Sequence, residues 1–200
     1  MLAETAMMRS ETWFTSDLHL GHTLVSGVRG FDTTEAHDDE LALRWDARIR
    51  PLDGVWVLGD ISGGGRGSQR RALEWLAERP GSKHLIAGNH DGVHPMHRDA
   101  HKALPAYLDV FASVAQSARR KIAGYEVLLS HFPYAGTAGN EGAGGRYDQW
   151  RLPDIGSWLL HGHTHSSTRR EQQSIHVGLD AWGLTPVSVE EITGLLHESS

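Results

Sequence analysis

Five short apolar runs, each closing on an Asp, His or Asn motif, restrict what this chain can fold into more than any other feature. Trp13-Phe14-Thr15 leads into Asp17-Leu18-His19, and Val55 to Leu58 leads into Gly59-Asp60. His84 to Ala87 leads into Gly88-Asn89-His90-Asp91, Val127 to Leu129 into Ser130-His131, and Trp158 to Leu160 into Gly162-His163-Thr164-His165. Runs that are continuously apolar, not alternating, read as strands covered on both faces. Open α/β sheets bind ligands at the carboxyl ends of their strands, so five motif-bearing ends can converge on one crevice. Residues two apart share one face of a strand, so an Asp-x-His or His-x-His pair can reach a single centre.

Two helical patterns lie between the early runs. From Glu35 to Arg50, Leu41, Trp45 and Ile49 recur every fourth residue, with Glu40 and Arg44 spaced for an ion pair. From Ser68 to Arg79, Ala72, Leu73, Leu76 and Ala77 form one stripe, and Pro80-Gly81 stops it. This alternation is that of an α/β layered domain. After about residue 110 strands, including Ile175 to Val177 and Val187 to Val189, follow one another with little helix between. That predicts a second sheet, hence a two-sheet β-sandwich flanked by helices. The expected organisation is a loose N-terminal extension over residues 1–10 and a single domain over 11–200. The stretch Gly136 to Gly145 reads either as a substrate lid or as an ordinary mobile loop.

The chain contains no cysteine, which excludes thiolate metal sites and disulfide scaffolds, whereas its 14 histidines offer neutral nitrogen ligands. Carboxylate and amide oxygen with imidazole nitrogen and no sulfur suit Mn, Fe, Zn, Co or Ni better than Mg or Ca. A formal net charge of −6 argues against long nucleic acid as a partner, although bound metal ions can supply positive charge locally. No apolar run approaches the ~20 residues that cross a bilayer. Residues 1–10 show no basic segment followed by an apolar one. A cytoplasmic location with no membrane partner is therefore expected, and the oligomeric state is left open.

Taken in order, the five motifs resemble those of the calcineurin-like metallophosphoesterases, whose pattern is D-x-H, G-D, G-N-H-D/E, a lone H and G-H-x-H. The chain is similar in particular to small stand-alone bacterial and phage members that begin T-x-D-x-H-x-G-H, as Thr15 to His22 do here. The tail Val177-Gly178-Leu179-Asp180 and Pro186-Val187-Ser188 looks like that branch too. The resemblance implies a four-layer αββα fold and two divalent transition-metal ions, manganese first. It implies that Asp17, His19, Asp60 and His165 hold one ion, and that Asp60, Asn89, His131 and His163 hold the other, with Asp60 shared. It further implies that His90 stands over the phosphate and that Asp91 orients its imidazole. The reaction so implied is in-line attack by a metal-bridging hydroxide on phosphorus, with no covalent intermediate.

Other residues have two readings. His22 either points into the site or packs beside it, and Arg29 either meets a substrate phosphate or is a surface arginine. His94, His97 and His101 recur at helical spacing and read first as a solvated helix face, otherwise as the rim of the crevice. His161 and His176 read as packing residues. Asp60 is followed by Ile61-Ser62-Gly63-Gly64, and Asn89-His90 by Asp91. Phosphoprotein phosphatases of the superfamily read G-D-x-V-D-R-G and G-N-H-E there, so a phosphoprotein substrate is disfavoured, and the resemblance to small family members implies a small phosphodiester, 2′,3′-cyclic nucleotides included. The competing readings are a nucleotide or lipid-linked pyrophosphatase and a catalytically silent binding module of the same fold.

Overall fold

The computed structural model of the chain describes residues 10–136 and 146–198. The expected N-terminal extension, apart from Ser10, and the Gly136 to Gly145 stretch, apart from Gly136, lie outside the described residues. In chain order the elements are β1 (Thr12–Thr15), α1 (Thr23–Val28), α2 (Thr34–Arg48), β2 (Gly54–Val57), α3 (Arg66–Ala77) and β3 (Ser82–Ile86). There follow α4 (Ala100–Leu108), β4 (Ser113–Ala115), β5 (Ser117–Ile122), β6 (Tyr125–Ser130), β7 (Trp158–His161), β8 (Arg170–Glu171), β9 (Ser174–His176), β10 (Val187–Ser188) and α5 (Val189–His197).

Among the described residues two five-stranded sheets form, ordered β10-β1-β2-β3-β4 and β5-β6-β7-β9-β8. In the first, β1 to β4 run parallel and β10 joins β1 antiparallel. In the second, β6, β7 and β9 run parallel, with β5 and β8 antiparallel at the two edges. The strands of the first sheet bury both faces. Val55, Val57 and Leu85 pack with Leu41 and Trp45 of α2 and Leu73 and Leu76 of α3. Phe14, Leu58 and Ile86 face the second sheet's Val127, Leu129, Leu160 and Ile175. This is why the early runs are apolar throughout. Each such side chain contributes roughly 1.5–3 kcal/mol on burial. The α5 residues Ile192 and Leu196 join the inter-sheet cluster.

Asp53 locks the start of this sheet. Its buried carboxylate accepts from Glu11 N (2.9 Å), Trp13 Nε1 (3.2 Å), Arg50 N (2.9 Å) and the Arg50 guanidinium (3.0 Å). One side chain so fixes the approach to β1, the end of α2 and the entry to β2.

Where sequence pattern and structure differ, local chemistry explains it. Val189, expected at the end of a strand, begins α5 because Ser188 and Glu191 form a reciprocal capping box. The polar strand β5 has no apolar signature. It is held by a two-residue hairpin in which Ala123 and Gly124 both take positive φ, as a type I′ turn requires. Among the described residues, no helix is long and apolar enough to cross a membrane.

Candidate metal centre

The five motifs leave the carboxyl ends of β1, β2, β3, β6 and β7 and meet at the end of the sandwich where both sheets finish. The backbone there is strained in a consistent way. Asp17, His19, Asp60, His163 and His165 all adopt positive φ, between 48° and 71°, which makes five of the nine such non-glycine residues among those described. Each placement costs on the order of 1–2 kcal/mol and persists only where surroundings enforce it. Asp17 N donates to Gly59 O, His19 N to Asp60 O and Leu20 N to Ile61 O, each at 3.0 Å, so the first two motif loops are zipped together.

Two groups of ligand atoms result, Asp17 with His19 and His165, and Asp60 with His131 and His163, each within 4.8 Å of one another. His19 Nε2 lies 3.1 Å from His165 Nε2 and 4.0 Å from Asp17 Oδ1. In the second group His131 Nε2 lies 3.1 Å from both His163 Nδ1 and Asn89 Oδ1. Asp60 Oδ2 stands between the groups, 3.8 Å from His19 Nε2 and 3.5 Å from His131 Nε2, while its Oδ1 accepts from His90 N at 2.9 Å.

The donor set fits cations. His131 Nδ1 faces the Leu58 carbonyl at 2.7 Å, a partner that only accepts, so Nδ1 carries a proton and Nε2 offers a lone pair once the ring is neutral; burial lowers this imidazole, but Asp60 and Asp17 outweigh it and raise it. That lone pair faces an amide oxygen, a second imidazole and a carboxylate, an array of donors that a cation would hold together. Likewise His165 Nδ1 donates to Asp180 Oδ2 at 2.8 Å, freeing Nε2. Burial pushes the His19 imidazole well below its ordinary range and His163 down to about 3, which keeps both in the neutral, ligating form. Burial, with Asp91 and Asp17 adding to it, raises the Asp60 carboxyl. Burial alone would raise Asp17 too, but the surrounding imidazoles outweigh it and lower it. Such residues can hold two divalent ions, and the donor chemistry favours a transition metal.

His90 stands at the mouth, its side chain 41% exposed and its Nε2 4.0 Å from Asp60 Oδ2. Asp91 does not reach it. The buried Asp91 carboxylate is filled by backbone donors, Gly88 N at 2.8 Å, Asp60 N at 2.9 Å and Ile61 N at 3.1 Å. The expectation that Asp91 orients the His90 ring is corrected accordingly: it shapes the Asp60 loop instead. Arg29 is corrected as well. Its side chain is only 3% exposed and grips Asp180 through Nε and Nη2, both at 2.9 Å, with Nη2 also donating to the Asp17 carbonyl at 2.8 Å. It is neither a surface arginine nor turned to meet a phosphate.

His22 caps α1, accepting from Val25 N at 3.3 Å through Nδ1, and its ring stands edge-on to His19 at 5.5 Å. It therefore packs beside the centre. His94 is buried against Phe132 and Trp150, and α4 begins only at Ala100, so the three histidines do not share a helix face. His161 and His176 are buried with rings 5.3 Å apart. The residue that sequence reasoning passed over is Asp180. Its signal was a carboxylate in the tail motif, but its partner His165 is 15 positions away and only the fold brings them together.

The calcineurin-like phosphoesterase pattern matches residues 11–167 of the chain. The Gene 66 protein of Mycobacterium phage L5 is 49% identical, aligning over 94% of this chain and 95% of its own. The Gene 66 protein of Mycobacterium phage D29 is also 49% identical, over 94% and 98% respectively. MJ1445, an uncharacterized protein of Methanocaldococcus jannaschii, is 23% identical over 96% of this chain and 94% of its own. The crystal structure of AQ665, a protein of unknown function from Aquifex aeolicus, superposes with a TM-score of 0.68 at 20% identity, over 94% of this chain and all 100% of that one. That likeness is one of fold.

Proposed function

Because the chain belongs to the calcineurin-like phosphoesterase family, whose members are metal-dependent hydrolases, we propose that it cleaves small phosphodiesters, with 2′,3′-cyclic nucleotides among them. The observation that carries this reading is the position of Asp60 Oδ2, within 3.5–3.8 Å of one histidine from each ligand group. A carboxylate so placed suits a shared ligand, and the reading assigns Asp17, His19 and His165 to one ion and Asn89, His131 and His163 to the other. Manganese is the proposed metal. Two ions held there would offset the charge of the phosphate and make a water acidic enough to attack it.

The chain's own residues do the rest. Asp91 and the zipped motif loops hold Asp60 in place, and Asp180 with Leu58 O fixes which nitrogen of His165 and His131 is free. His90 is the proposed catalytic residue. Its Nε2 is the atom on the Asp60 side, 4.0 Å from Asp60 Oδ2. A proton held at Nε2 is available to the departing oxygen. His22 shapes the site margin.

The test is direct. Protein loaded with Mn²⁺ cleaves bis-p-nitrophenyl phosphate, and chelation or Asp60→Ala abolishes cleavage. Metal-replete protein inert toward every mono- and diester overturns the reading.

A further inference from the structure

A groove of about 1030 Å³ borders the candidate centre, with Asn89 and His90 among the residues that line it. It runs between α3 on one side and the segment from Met96 into α4 on the other. Arg66 and Arg70, one helical turn apart, line the first wall, and Arg98 and Lys102, also four residues apart, line the second. All four are exposed. Asp99, 3.7 Å from Arg98 and 2.9 Å from Lys102, is the one acidic residue lining the groove among those described. Four cations against one carboxylate is a local concentration of positive charge in a chain whose formal net charge is −6. The Arg70–Glu74 pair, at 3.7 Å with both side chains more than half exposed, holds its arginine weakly.

Beneath this rim the floor is apolar, supplied by Leu73, Met96 and Tyr107. The groove is also tied to the reacting end. Gln69 Oε1 accepts from the Tyr107 hydroxyl at 2.7 Å and from Gly92 N at 2.9 Å, while its Nε2 donates to His90 O at 3.1 Å. One side chain thus joins α3, α4 and the His90 loop, so whatever fills the groove is registered against His90.

We propose that this groove takes the nucleoside part of the substrate together with a second phosphate, beyond the one attacked. The inference rests on the phosphodiesterase reading and narrows it. An apolar floor suits a base and sugar, four cations suit a phosphate, and about 1030 Å³ is ample for both and generous for an isolated phosphate ester. The preferred substrates are nucleotides phosphorylated on both sides of one sugar.

The matched probes are thymidine 5′-(p-nitrophenyl phosphate) and the same ester bearing a 3′-phosphate, hydrolysed by the Mn²⁺-loaded protein. The added phosphate raises kcat/KM about tenfold. In the double variant Arg70→Ala, Lys102→Ala, checked for folding by its melting temperature, that ratio falls to near one. A wild-type ratio near one, or a ratio that the double variant leaves intact, overturns the proposal. If no ester is cleaved, the hydrolase reading has failed by itself, and the groove is decided by calorimetry. Thymidine 3′,5′-bisphosphate then binds about tenfold tighter than thymidine 5′-monophosphate in wild type and equally in the double variant, and equal wild-type affinities overturn the proposal.

Discussion

Asp180 holds the Arg29 guanidinium through both carboxylate oxygens at 2.9 Å, and one of those oxygens also receives His165 Nδ1 at 2.8 Å. An arginine fork thereby sets the orientation of a carboxylate, and the carboxylate sets the tautomer of a ligand histidine. Burial raises the Asp180 carboxyl, but His165 and Arg29 outweigh it and keep it below the usual range, so the carboxylate stays charged. Asp180→Ala is expected to weaken Mn²⁺ binding about 10–100-fold, the usual cost of losing a residue that orients a ligand. Titration against a competing chelator measures this, and unchanged affinity would remove Asp180 from the account.

His90 and Asp91 are neighbours with different expected phenotypes. His90→Ala lowers kcat about 10²–10⁴-fold while the metal content stays as in wild type. Asp91→Ala leaves three backbone N–H donors of the Asp60 and Gly88 loops unpaired, so it destabilises the fold by about 3 kcal/mol or more. Urea denaturation beside steady-state kinetics separates them. A stable Asp91→Ala protein with only a kinetic defect would restore the role the sequence suggested for it.

Gly162 stands where nothing larger fits. A Cβ there would lie 2.0 Å from Ser16 Oγ and 2.4 Å from Asp17 Oδ2. Gly162→Ala is expected to cost about 1–3 kcal/mol and to push Asp17 out of its ligand group, so melting temperature and bound Mn²⁺ fall together. Retention of both would mean that the two sheets yield more freely than the packing implies.

Asp53 makes stability sensitive to acid. Burial raises its carboxyl, but the hydrogen bonds from Arg50, Glu11 N and Trp13 outweigh that and hold it at about 2, below the ordinary 3.8. A depressed pKa stabilises the fold above about pH 4, and the contribution fades as pH falls through about 2. Its size is about 1–2 kcal/mol, reduced because the Arg50 side chain is 37% exposed. Asp53→Asn should therefore be less stable than wild type at pH 6, with the difference narrowing between pH 4 and pH 2 in urea titrations. A difference independent of pH would assign the effect to packing.

The paired early strands and the motif order were legible in the sequence because burial on both faces leaves continuous apolar runs and because motif ligands lie within two residues of one another. Other parts were not. The strand β5 is polar, and its hairpin depends on Ala123 adopting positive φ, which composition does not announce. Arg29 looked like an exposed arginine because its partners, Asp180 and the Asp17 carbonyl, come from elements that only the fold assembles. Asp91 looked like a partner for the adjacent His90, yet the turn sends its carboxylate back under β2 to the Asp60 loop. Sequence adjacency predicts which residues share a loop; it does not predict where their side chains go.

In the proposed centre two ions act together through Asp60. Metal-free protein titrated with Mn²⁺, while hydrolysis of bis-p-nitrophenyl phosphate is followed, tests it most directly. Activity is expected to saturate at two ions per chain, with Asp60→Ala showing none at any stoichiometry. Full activity at one ion per chain, or activity retained in Asp60→Ala, would contradict it.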